Sequence, residues 1–168
     1  MLKPYQVRVR GCAATVVLAV MLLGVACVKK PSGDASAWEK VSSYNASLAQ
    51  VNQTVEQGAE ALASSKVLKP AQVEPIIDLT GRVATVDQQI TAVLSKGASA
   101  TPADFANLQQ LLIQIQQAST TLVLSGSLGV KNPNSQQAIS ADITAIANLS
   151  QVILDLIPQL QASPPPAQ

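Results

Sequence analysis

Histidine does not occur in this sequence, and cysteine occurs only at Cys12 and Cys27. Without imidazole, and with no thiol beyond residue 27, the usual nucleophile and base pairs of hydrolases and transferases cannot be assembled. A metal site would have to rest on clustered carboxylates, but the ten acids are scattered and none stands at the Glu-x-x-His spacing of di-iron bundles. Gly126-Ser127-Leu128-Gly129 lacks the Lys-Ser/Thr pair and the preceding strand of a phosphate loop. These absences predict no catalytic residue, no metal and no cofactor, so the chain reads as a protein that is not an enzyme. Aromatic residues make up only 2% of the sequence, so any core must be aliphatic, and without paired cysteines its stability must come from packing.

What the sequence does have is concentrated at its start. Lys3, Arg8 and Arg10 precede an apolar run from Cys12 to Val28 that closes on Gly24-Val25-Ala26-Cys27 and is followed by Lys29-Lys30. A positive segment, an apolar segment and small residues before a cleavage point are the parts of an export signal. The first 27 residues resemble a bacterial lipoprotein signal, in which a small residue, here Ala26 after Leu22 and Leu23, precedes a cysteine that is lipidated and becomes the new N-terminus. That resemblance implies lipidation at Cys27, a location in the cell envelope outside the cytoplasm and attachment to a membrane. With Val28 rather than Asp after the cysteine, it also favours the periplasmic face of the outer membrane in a cell with two membranes. Two other readings of the same residues stand beside it. Gly24-Val25-Ala26 suits the ordinary signal peptidase, and Gly11 to Val28 is an uncharged run of 18 residues, close to the span of a bilayer, that could be retained as an anchor helix.

Removing residues 1–26 leaves 142 residues, a length that suits one domain, with 8 basic and 10 acidic side chains and a net charge of −2. No nucleic-acid footprint survives that subtraction. Residues 27–36 then form the lipidated cysteine and a short tether with Pro31, Ser32 and Gly33. From Ala37 to about Ser64, Val41, Tyr44, Leu48, Val51, Val55 and Leu62 recur three and four apart, which places them on one helix face, with Gly58 in the same seam. After a polar break over residues 64–69, a second helix starts at Pro70 or Pro75 and runs to Ser95. Its seam is Ile76, Leu79, Val83, Val86, Ile90 and Val93, and Lys96-Gly97 stops it. Thr101, Pro102 and Asp104 form the start of a third helix, whose seam of Phe105, Leu108, Leu112, Ile115 and Leu122 is interrupted by Ser119. Asn132-Pro133 opens a fourth, with Ile139, Ile143, Ile146, Leu149, Ile153, Leu156, Ile157 and Leu160 leading to about Gln161. Residues 162–168 read as a Pro-rich, disordered tail.

Four apolar stripes of similar length joined by short loops predict an all-α fold, an up-down-up-down antiparallel four-helix bundle over residues 37–161, monomeric because the stripes supply one another's partners. A helical pair that completes its bundle by dimerising is the less economical arrangement. Three positions stand out from this pattern. Asp142 falls between Ile139 and Ile146, so either the helix turns to use Ile143 and leaves the acid outside, or a carboxylate is buried there, paired or facing a ligand. Ile113 and Leu124 lie about 100° off the seam of the third helix, either as extra core contacts or as an apolar strip for a partner. No charge occurs between Asp104 and Lys131 to guard that strip. The Asn-x-Ser/Thr triplets at Asn45, Asn52 and Asn148 read as chance matches in Ser/Thr-rich helices. The sequence thus supports a lipid-anchored envelope protein with a structural or protein-interaction role and an unknown envelope partner. A small carrier of apolar ligands or lipids is the alternative.

Overall fold

The computed structural model of the protein describes residue 31, residues 33–124 and 133–163, and residue 165. Cys27 lies outside the described residues, as do the two glycines after Leu124. Among the described residues four α-helices follow one another, α1 (Ala37–Ser64), α2 (Pro70–Lys96), α3 (Pro102–Leu124) and α4 (Pro133–Ala162), with a 3₁₀ turn, Gly97–Ser99, between α2 and α3. Each helix packs on its neighbours around a ring, α1 on α2, α2 on α3, α3 on α4, and α4 back on α1. The result is an up-down-up-down four-helix bundle. Its direction can be read from single side chains. Asn45 and Asn52 ascend α1 while their partners, Asp87 and Thr80, descend α2. At one end Trp38, in the first turn of α1, reaches Ser163 just beyond α4, and Lys96 at the end of α2 reaches Asp104 at the start of α3.

The predicted seams are the core. Val41, Leu48, Ile76, Val83, Ile90, Leu112, Ile143, Ile146, Ile153 and Ile157 are wholly inaccessible to solvent. Side chains of this size each contribute about 1.5 to 3 kcal/mol when removed from water, and a seam of them on every helix is enough to hold the bundle without disulfides. α4 is the one described helix long and apolar enough, by length and composition, to cross a membrane. In the bundle its isoleucines are buried between α4 and its two neighbours, α1 and α3, which is the arrangement of a core helix.

Helix boundaries follow local chemistry. Ser36 caps α1 by accepting from the Glu39 amide at 3.2 Å, and the Glu39 carboxylate accepts in return from the Ser36 amide at 2.8 Å. The Ser36 amide and the Ser36 hydroxyl, which donates to the same carboxylate at 2.9 Å, hold the Glu39 carboxyl below its ordinary range. α3 starts with the reciprocal pair that the sequence predicts, Thr101 amide to Asp104 Oδ2 at 2.8 Å and Asp104 amide to Thr101 Oγ1 at 3.2 Å. Lys96 Nζ donates to Asp104 Oδ1 at 2.6 Å and, with the Thr101 bonds, brings the Asp104 carboxyl down to about 2. A carboxyl lowered in the folded chain stabilises above its unfolded value. That contribution is present above about pH 4 and is lost as the pH falls towards 2. Of the two prolines that could open α2, Pro70 does so, because the Gln72 side chain accepts from the Lys69 amide at 2.8 Å. Pro75 lies inside the helix, where its missing N–H would have bonded the carbonyl of solvent-exposed Ala71.

The break between α1 and α2 is less polar than its composition suggests. Val67 donates to the Leu62 carbonyl and Lys66 to the Ala63 carbonyl, both at 2.9 Å, the paired closure that ends a helix on a left-handed residue. Lys66 occupies that position with φ 59°, and the turn drops Leu68 into the core at 3% exposure. A lysine there carries the left-handed strain that glycine avoids. Lys66→Gly is therefore expected to stabilise the bundle by about 0.5 to 1 kcal/mol and Lys66→Val to destabilise it. Urea midpoints of the two variants check the sign, and a Lys66→Gly midpoint below that of the parent would contradict this account.

Candidate functional site

The structure resolves the open positions of the sequence one by one. Ile113 is 41% exposed and Leu124 80% exposed, so neither adds to the core. They lie 11 residues apart, which is three helical turns and about 16 Å along the same outward line of α3. Gln117 and Thr120 are exposed between them. This line carries no ionisable group, and Gln116, Gln117, Thr120, Thr121 and Leu124 border a shallow open cleft. Ile77 on α2, 38% exposed, belongs to a separate cleft of about 790 Å³ lined by Leu68, Pro70, Val73 and Glu74. The sequence pattern assigned Ile77 no role, because it stands next to the seam residue Ile76.

Asp142 is buried, at 2% exposure, and Ile143 beside it is buried as well. Of the two readings, the one that leaves the acid outside is therefore corrected, and the buried carboxylate at Asp142 is what the structure has. The apolar face of α4 is broad enough to bury both, since neighbours on a helix are 100° apart and this helix packs on two others. Burial alone pushes the Asp142 carboxyl up to about 6, because water that would stabilise the charge has been removed. Ile113, Leu124 and Asp142 do not converge. The first two face outwards from α3 and the third faces inwards from α4.

A second set of polar residues lies inside the bundle, and no sequence pattern marked it. Asn45 and Asn52 are buried at 6% and 8%. Asn45 Nδ2 donates to Asp87 Oδ1 at 2.8 Å, and Asn52 Nδ2 donates to the Thr80 carbonyl at 3.1 Å. Both pairings keep one antiparallel register seven residues apart, so a slip of one heptad between α1 and α2 would leave an asparagine without its partner. Buried asparagine at a seam position specifies register in coiled coils for this reason. Burial of Asn45 and Asn52 also removes them from the reach of a modifying enzyme in the folded chain, whereas Asn148 is exposed.

Counting from the pairings Asn52 to Thr80, Gln116 to Gln151 and Trp38 to Ser163 brings Ser119 and Ser150 to the level of Asn52 and Thr80. Each helix thus contributes one polar side chain to a layer in the middle of the bundle, and all four are under 9% exposed. Asn52 Oδ1, Ser119 Oγ and Ser150 Oγ make no hydrogen bond. Buried groups left in this way cost about 1 to 3 kcal/mol each, so the layer weakens packing where the flanking isoleucines strengthen it. Rotation of either serine towards its own preceding turn, at the Ile115 or Ile146 carbonyl, satisfies the donor.

No family model matches the chain, and no curated protein or solved structure matches it. Among the described residues no three acids or thiols gather into a set that could hold a metal ion. The arrangement offers surfaces and a polar interior layer.

Proposed function

We propose that this protein is a lipid-anchored helical module of the bacterial cell envelope whose role is structural or protein-binding rather than catalytic. The observation that carries this reading is the outward line of α3, where Ile113 and Leu124 stand exposed on a helix with no charge after Asp104. Single exposed apolar residues are ordinary. A helix face that combines two of them with Gln and Thr, and with no charge to be desolvated, suits a contact with another protein. The anchor in this reading is the lipid on Cys27, and the chain from it would enter the bundle at the end that holds Trp38, Ser163 and the Lys96–Asp104 pair. Leu124 would then lie towards the far end, away from the membrane. The carrier of apolar ligands is the second reading, and the small buried residues Gly58, Ser119 and Ser150 are what favours it.

Two measurements test the proposal. Metabolic labelling with a fatty acid is expected to mark the wild-type chain and to be lost in Cys27→Ala; equal labelling of both would remove the lipid anchor. A photo-crosslinking residue at position 113 or 124 in living cells is expected to give a discrete adduct, and one at Glu74, on the charged side of α2, is expected to give none. Failure at both positions of α3, with the chain correctly localised, would leave that face without a partner.

A further inference from the structure

The two ends of the bundle's chain meet in a cleft of about 570 Å³ between the first turn of α1 and the turn that follows α2, lined by Trp38, Ser42, Leu94 and Gly97. Ser163 and Pro165 reach that cleft. Trp38 Nε1 donates to the Ser163 carbonyl at 3.1 Å, and the Pro165 ring lines the same cleft. Pro165 Cγ comes within 3.6 Å of the point where a side chain at position 97 would begin. Gly97 itself has φ 52° and ψ −124°, a conformation open to glycine, and it lets the backbone turn under the proline.

These contacts have a recognisable chemistry. The sequence Ser163-Pro164-Pro165-Pro166 cannot continue a helix, because each proline lacks the N–H and crowds the preceding turn. A polyproline segment carries little unsatisfied donor capacity but presents carbonyls and ring faces, so grooves that bind one pair an aromatic surface with an N–H aimed at a carbonyl. Trp38, in the first turn of α1, supplies the N–H, and it lines the cleft together with Pro165. We propose that the Trp38 cleft is a groove for Pro-rich polypeptide, occupied in cis by the chain's own Ser163 and Pro165. These residues then act as a clasp, tying the start of α1 to the end of α4. A Pro-rich segment of another chain would meet the same groove only after the clasp has left it.

Trp38 is the only tryptophan in the sequence, so its fluorescence reports this site without labelling. The full chain in detergent micelles is compared with a chain ended after Ala162 and with Pro165→Gly. Both variants are expected to keep the helical circular dichroism, to shift Trp38 emission to longer wavelength and to raise its quenching by acrylamide, truncation more than the point change. A synthetic peptide of residues 162–168 is expected to reverse the shift in the truncated chain and to leave the intact chain unaffected. The same peptide with alanine in place of its prolines is expected to do neither. Emission and quenching unchanged by truncation would overturn the clasp, and so would equal binding of the peptide to the intact chain. Equal rescue by the alanine peptide would overturn the Pro-rich groove. Should truncation cost the helical signal, Pro165→Gly decides, and unchanged quenching in that variant rejects the seat of the proline on Gly97.

Discussion

Ile153→Ala is expected to cost about 2 to 5 kcal/mol of folding stability, the range for a large aliphatic side chain removed from a close-packed interior. Ile153 is fully buried on α4, one turn from the unsatisfied Ser150, so the cavity would open beside a layer that already packs without a complete hydrogen-bond set. Domains of this size have about 5 to 15 kcal/mol in total, and one substitution could therefore consume much of the reserve. Ile90→Ala on α2, also at zero exposure, should behave alike. Ile113→Ala removes the same atoms from a 41% exposed site and should change stability by about 0.5 kcal/mol or less. Chemical denaturation of the three variants settles the ranking. A loss at Ile113 equal to that at Ile153 would make α3 covered on two sides and would remove the exposed strip on which the proposed partner contact depends.

Asp142→Asn should stabilise the protein at neutral pH and leave it unchanged in acid. The folded chain holds the Asp142 proton up to about pH 6, whereas the unfolded chain releases it near the ordinary carboxyl value of 3.8. Between those values the folded state binds more protons, so stability falls as the pH rises through the window and stays lower above it. The loss is on the order of 1 to 3 kcal/mol. Asparagine keeps the shape without the charge, so the variant should melt several degrees higher at pH 7 and together with the parent below about pH 4. Thermal melts at both pH values are sufficient. A variant less stable than the parent at pH 7 would show that the ionised carboxylate has a compensating partner.

The particular residues explain what could be read in advance. Val41, Leu48, Ile90 and Ile153 were legible because a buried seam repeats every three to four residues, and a strong repeat leaves the helix little choice of face. Thr101 and Asp104 were legible because capping is local, decided within four residues. Leu68 was not, since it is buried by a turn that closes on a left-handed lysine, and composition alone makes residues 64–69 look like an ordinary polar loop. Asn45, Asn52, Thr80 and Ser150 were hidden for another reason. Polar side chains are expected outside, and only the approach of the neighbouring helix offers Asn45 the Asp87 carboxylate and Asn52 the Thr80 carbonyl.

From the sequence alone came the four helices of the bundle, their limits to within a residue or two except for the start of α2, left between Pro70 and Pro75, and the aliphatic seams, because these depend on periodicity and on groups close together in the chain. The proposed export signal ending at Cys27 rests likewise on local order alone. Tertiary structure alone decided that Asp142 and Ile143 are both buried, that Ile113 and Leu124 are left outside, and that the end of α4 returns to Trp38. Each of these depends on how far the stripe of one helix is covered by its neighbours, and that coverage is set by the register and spacing of four helices together, which no single stretch of chain contains.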